Sequence, residues 1–275
     1  MDQMGGPKLQ STRHLIGDER QSALAKYRTV VLGGRGLGYF LKYELAMLVA
    51  NACPGALGMY LRRTLYPGLF RRVGRGSIFG PNVTLRSPWR IAIGERVVID
   101  NNVSLDARSE EDVSIAIGDE TILSRNTIVA CKGGRVRLGR RVGVGANSTF
   151  HVYTGNTIVV GDNVLIAPYC YFAGAAGYRT ERTDIPIVDQ PLDLRGGITI
   201  EDNVWIGAHT TIMDGVTVGH DAIIGAGSVV LKDVPPYGVA VGVPAKVVRD
   251  RREAAGGPVA TASVSRDMGG GAARK

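Results

Sequence analysis

Ile198–Pro236 reads ITIEDNVWIGAHTTIMDGVTVGHDAIIGAGSVVLKDVPP, and within it Ile200, Ile206, Ile212, Val218, Ile224 and Val230 fall six residues apart. Beside most of them stands a small residue, and another follows four places after each leader. Followed outward, the same rule runs back to Val73. Read as three hexapeptides per coil, the leaders are Val73, Phe79, Leu85; Ile93, Ile99, Leu105; Ile117, Leu123, Val129; Leu138, Val144, Phe150; Val160, Ile166, Phe172; and the six already named. None is polar.

Glycine occupies the second position at 74, 80, 94, 118, 139, 145, 161, 207, 219 and 225, where a chain turning a corner needs room or a positive φ. The fifth position takes Val83, Thr121, Ser148, Cys170, Thr210 and Ser228, which suits a narrow interior. One such segment cannot bury its apolar face alone, whereas stacked coils share a core and pair strands from coil to coil. The pattern predicts an all-β parallel β-helix of about seven coils. Extra residues enter only between the third side of a coil and the next coil, so every insertion decorates one edge. The longest, Ala173–Thr199, is too long for an idle connector and points to a binding or active-site role.

The 275 residues are 44% hydrophobic and only 6% aromatic, as expected for a slim prism filled with Val and Ile. The formal charge is +8. Much of the excess lies outside the repeat, in Arg62, Arg63, Arg71, Arg72, Arg75, Arg249, Arg251 and Arg252. Aromatic residues do not alternate with these cations, and no finger or ribonucleoprotein signature is present, which argues against nucleic acid as a partner. Polyanionic small molecules and anionic membrane surfaces stay open. Cys53, Cys131 and Cys170 are widely separated and read as reduced thiols, and a polar N-terminus without an apolar run predicts no export and a cytoplasmic location.

Five segments are expected. Residues 1–37 form a polar, partly disordered arm with a short helix near Asp18–Tyr27. Residues 38–72 form an amphipathic helical cap built from GYFLKYELAMLVANA (Gly38–Ala52) and ALGMYLRRTLY (Ala56–Tyr66), broken at Pro54 and Pro67. Lys42 and Glu44 leave the first stretch too short and too charged to span a bilayer. Residues 38–66 either cover the open end of the β-helix or lie on a membrane as a peripheral contact. Residues 73–235 form the β-helix with its protruding loop 173–199. Residues 236–253 are a short extension of strand and basic, helical segment, and 254–275 a Gly/Ala/Ser-rich disordered tail.

The stretches GDNVLIAPYCYF (Gly161–Phe172), RTDIPI (Arg182–Ile187), the run quoted first, and VGVPAKVVR (Val241–Arg249) resemble the hexapeptide-repeat acyltransferases, sugar O-acetyltransferases in particular. The resemblance covers about Val73–Arg249. It implies a left-handed coil, a homotrimer, and acyl transfer from a coenzyme A thioester, acetyl-CoA above all, to a hydroxyl or amine. In such enzymes acyl-CoA lies between neighbouring prisms. The matching contact positions are Ala208 and Ala226, one coil apart, with Lys232, Lys246 and Arg249 near the cofactor phosphates.

The family's general base is a histidine five residues after the third-side leader, at the mouth of the long loop. Here that residue is Gly177, which has no side-chain proton acceptor. Of the four histidines, His14 belongs to the arm, and His209 and His220 take outward positions on other sides. His151 directly follows Phe150 on the third side, one coil below Phe172, where similar enzymes place a polar residue against the acceptor. It is the candidate relocated base, with substrate binding or a plain surface role as alternatives. In the loop, Arg179, Glu181, Arg182, Asp184, Asp189 and Asp193 offer acceptor contacts or a substitute carboxylate, or else pin the loop by ion pairs. Arg179 and Asp184 are taken as substrate-binding, although Asp184 in RTDIPI also suits a structural role. A zinc lyase needs three converging histidines, and these fall in different repeat phases, so no metal is expected. Two readings follow: a CoA-dependent O-acyltransferase acting on a small hydroxylated acceptor, or a catalytically silent trimeric scaffold.

Overall fold

The computed structural model describes residues 21–256 except 110, 154 and 176. The expected disorder of residues 1–20 and 257–275, and His14, lie outside the described residues.

Between residues 72 and 230 the chain winds through three seven-rung parallel ladders, one per side of a triangular prism. Each leader sits opposite the leader of the next coil. Val73 pairs with Ile93 on the first side, Phe79 with Ile99 on the second and Leu85 with Leu105 on the third, and so on to Val218, Ile224 and Val230. All but Val73 are buried, each contributing roughly 1.5–3 kcal/mol of apolar burial. The fifth-position residues Val83, Thr121, Ser148, Cys170, Thr210 and Ser228 are buried as well.

The corners divide the two glycine roles differently from expectation. Second-position glycines are there for room: a Cβ on Gly139 would lie 2.4 Å from the Gly161 carbonyl oxygen, and one on Gly207 would lie 2.5 Å from the Ala226 nitrogen. Positive φ falls two residues later, at Asn102, Asn126, Asn147, Tyr169 and His209 along one edge. Asparagine tolerates this left-handed conformation. Its amides also form a ladder there, Asn102 to Asn126 at 3.2 Å and Asn126 to Asn147 at 2.9 Å.

Among the described residues, three helices close the N-terminal end. The first, Ala23–Leu32, begins at a Ser22 cap and lies later than the expected Asp18–Tyr27, so the second half of the arm is ordered. Leu32 is buried, and the Val31 and Leu32 carbonyls accept from the Ser87 backbone and the Trp89 indole. Leu37–Ala46 continues as a π turn through Asn51, and Gly55–Leu65 follows. Arg62, almost fully buried, donates to the carbonyls of Ala50, Cys53 and Phe79, and the Tyr43 hydroxyl donates to Leu85. These contacts join the helices to the first coil, which is the capping role.

At the other end Gly238–Val241 adds a further parallel rung to the second side. The basic stretch expected to be helical is instead the strand Lys246–Asp250, antiparallel to it, followed by a 3-10 segment Arg251–Gly256. An exposed final rung needs an edge partner, and this returning strand supplies one.

Candidate active site

Phe150 and Phe172 stack inside the prism with ring centroids 4.4 Å apart and planes 6° from parallel, which fixes the third-side register. On the strand Thr149–Tyr153, His151 therefore alternates to the outer face, between Ala130 on one rung and Ala173 on the next. Those small neighbours leave the imidazole room.

His151 is half-buried. Its Nδ1 lies 3.4 Å from the Tyr171 hydroxyl, and its ring is 4.8 Å from that of Tyr153, which also carries Lys132 Nζ 5.5 Å from its centroid. Burial, and then the Lys132 cation, push the His151 pKa below the ordinary imidazole value, against a weaker opposing pull from Asp106. The imidazole is thus held neutral near pH 7. The Tyr153 phenol is pushed up by burial and then by the Tyr178 and Tyr171 phenols, which keeps it protonated. Two rungs away in the same column, buried Asp106 binds Arg108 at 2.6 Å and Arg86 at 3.3 Å, so the carboxylate is occupied by cations and is no free base.

The three tyrosines were not singled out from the sequence. Tyr153 was findable, since two residues on along a strand returns to the same face. Tyr171 needed the 22-residue coil offset that sets Tyr171 opposite Thr149, and Tyr178 needed the path of the loop.

Residues 173–174 belong to the third-side ladder and 197–199 to the first, so the protrusion is 175–196, shorter than expected. It is a pinned hairpin. Gly177–Tyr178 pairs antiparallel with Leu192–Asp193, and the Arg179 amide donates to Pro191 at 2.8 Å. Gln190, buried, accepts from the Arg182 amide and donates to the Arg182 carbonyl. At the base, buried Asp214 accepts from the Arg195 and Gly197 amides and from Asn156 Nδ2, which also donates to Gly174. Asp214 and Asn156 went unremarked in the sequence because their partners are far along the chain.

Gly177 has φ +122, and a Cβ built on it would meet nothing within 4 Å. Space is open there, but the backbone conformation is one that L residues rarely adopt. Arg179 is exposed on the hairpin. Asp184 is exposed and gripped by the Arg182 guanidinium, which holds its carboxyl below the usual range.

Ala208 and Ala226 stack at the corner between the second and third sides, the Gly227 amide donating to Ala208 at 2.8 Å. Their coils stand two and three rungs beyond that of His151, roughly 10 and 14 Å along the axis at the usual strand spacing. Lys232, Lys246 and Arg249 are all exposed at that same end, the last two on the returning strand, which the Gly242 amide ties to Ser228 Oγ and the Ala245 amide to Val229. His209 stacks on Tyr169 and His220 pairs with Asp221, so neither joins His151. Among the described residues no three His, Cys, Asp or Glu side chains form a group that would hold a metal.

Family models describing a bacterial transferase hexapeptide (six repeats) and a hexapeptide repeat of succinyl-transferase match residues 197–232 and 72–107. The galactoside O-acetyltransferase of Escherichia coli is 40% identical over 120 residues, covering 43% of this chain and 55% of that protein. A probable acetyltransferase of Mycobacterium tuberculosis is 32% identical over 181 residues, covering 66% and 56%. The chain thus spans about half the length of the curated relatives it matches. Among solved structures, an N-acyltransferase from Bacillus cereus in complex with dTDP-4-amino-4,6-dideoxyglucose and coenzyme A aligns with TM-score 0.46 at 19% identity, over 69% of this chain and 88% of that one. A hexapeptide-repeat acetyltransferase from Vibrio cholerae aligns with TM-score 0.40 at 22% identity, over 78% and 93%.

Proposed function

We propose, for a chain that belongs to the hexapeptide-repeat acyltransferase family, that it moves an acetyl group from acetyl-CoA to a hydroxyl of a saccharide or similar small metabolite. The observation that carries this reading is His151: a neutral imidazole on the ridge where the hairpin leaves the prism, flanked by the Tyr171 and Tyr153 phenols. Sequence likeness to a galactoside O-acetyltransferase supports the reaction class.

For His151 to act as base, its Nδ1–H donates to the Tyr171 oxygen, leaving the Nε2 lone pair for the acceptor. Nε2 takes the hydroxyl proton as the acceptor oxygen attacks the thioester carbonyl. The tetrahedral intermediate collapses, the C–S bond breaks, and the proton passes to the departing thiolate, giving ester and free thiol. The corner row of Ala208 and Ala226 lets an extended pantetheine arm approach the backbone, and Lys232, Lys246 and Arg249 meet the phosphates. Arg179 and the paired Asp184 contact the acceptor. The exposed apolar column Ile78, Ile122, Leu165 and Trp205 on the second side is the surface we assign to subunit contacts in a homotrimer.

The test is acyl transfer from acetyl-CoA across a panel of hydroxylated acceptors. His151→Ala is expected to lower kcat by about 10² to 10⁴ while leaving acetyl-CoA affinity nearly intact. An active enzyme indifferent to this substitution contradicts the assignment. One observation favours a second reading, a silent trimeric scaffold: at the family's histidine position stands a glycine in a conformation unsuited to other residues. That reading predicts acyl-CoA binding, or none, without transfer to any acceptor.

A further inference from the structure

The helical cap does more than close the prism. Along Leu37–Asn51 the side facing the coil carries Tyr43, Ala46 and Ala50, all buried, while Leu37, Leu41, Leu45 and Leu48 form a stripe on the other side, 58, 58, 58 and 84% exposed. The next helix adds Leu57 and Tyr60, 64 and 65% exposed. Four leucines in one stripe, with two more large apolar side chains exposed on the next helix, are more than scattered exposure explains. The surface is rigid, since Arg62 ties the two helices to each other and to the first coil through the carbonyls of Ala50, Cys53 and Phe79.

Charge singles out what covers it. Between Gln21 and Gly94 stand eleven Lys and Arg residues against one acid, Glu44; Arg71 and Arg86 pair with Asp112 and Asp106 of the next coil, so ten minus two, or eight, positive charges remain in excess at this end. Glu44 is itself engaged by the Tyr27 hydroxyl at 2.7 Å. Exposed Lys42 and Arg63 lie on the same two helices as the stripe. A second copy seated on this face would bring the same cations together, at a repulsive cost, whereas an anionic surface would neutralise them. No helix among the described residues is long and apolar enough to cross a membrane. A leucine stripe with basic flanks suits lying in the interface plane.

We propose that the exposed face of the cap, centred on Leu41, Leu45 and Leu48, docks the protein on an anionic lipid surface, with the axis of the β-helix leading away from it. The proposal is independent of the acyl-transfer reading. The test is co-sedimentation of the full chain with phosphatidylcholine vesicles with and without phosphatidylglycerol, beside sedimentation velocity without lipid. The wild type is expected to pellet with anionic vesicles at low salt and far less with neutral ones or at high salt. Leu45→Glu/Leu48→Glu is expected to lose at least about tenfold in partitioning with an unchanged circular dichroism spectrum, and Arg63→Glu to lose less. Three results overturn the proposal: wild type left in the supernatant, a double variant that pellets as before, or a lipid-free oligomer that the double variant dissolves without any vesicle binding, which would assign the face to a second copy.

Discussion

The Nδ1 of His151 lies 3.4 Å from the hydroxyl of Tyr171, on the adjoining rung of the same side. In the proposed reaction this contact leaves Nε2 to serve as base. Tyr171→Phe keeps the ring and removes the oxygen, so it should lower kcat roughly tenfold while acetyl-CoA affinity holds, a fraction of the full general-base contribution. Steady-state kinetics beside calorimetric binding measure both. An unchanged kcat removes Tyr171 from the positioning of His151.

The same environment sets a pH dependence. A base must be unprotonated, so kcat/KM should be flat above neutrality and fall as acid protonates His151. Because burial and Lys132 push this pKa down, the fall should begin on the acid side of an ordinary imidazole. Lys132→Met removes a cation that disfavours imidazolium, so its acid limb should move to higher pH. A limb that stays put or moves down contradicts the role given to Lys132.

Restoring the family's histidine by Gly177→His should not restore the family's mechanism. At φ +122 the new side chain would strain the hairpin by roughly 1–3 kcal/mol or force its backbone to move. The expected outcome is a lower melting temperature and no gain in transfer rate. A variant both more active and equally stable would show that the loop readily adopts the usual geometry.

Asp214→Ala should loosen the hairpin at its root. It leaves the Arg195 and Gly197 amides and the buried Asn156 side chain short of an acceptor, at a cost of about 2–4 kcal/mol in urea denaturation. Amide exchange across 175–196 should quicken while the ladders stay protected. If exchange there is unchanged, Asp214 is not the anchor.

The fold was legible because the six-residue period is redundant: each leader from Phe79 to Val230 must be apolar for its coil to share the core, and one slipped hexapeptide would have broken the series. Single-corner detail was less legible. Positive φ resides on Asn102, Asn126 and Asn147, where an αL residue turns the chain, and the glycines next to the leaders answer to the backbone of the following coil. The basic C-terminal stretch was misread as helical because local composition does not register that the last rung leaves an open edge for Lys246–Asp250 to fill.

By itself the sequence determined the coil count, the buried face of each strand, the ridge on which insertions collect, and the glycine at the expected catalytic position, since all of these follow from spacing along one chain. Only the tertiary structure decided which side chains surround His151, that Asp106 is taken up by arginines, that Asp214 roots the hairpin, and that the cap turns a leucine stripe outward. The contacts of His151 with Tyr171, of Asp106 with Arg86 and of Asp214 with Asn156 join residues 20, 20 and 58 positions apart, through coil offsets that depend on the length of every insertion between them. Residue identity alone carries no record of that sum.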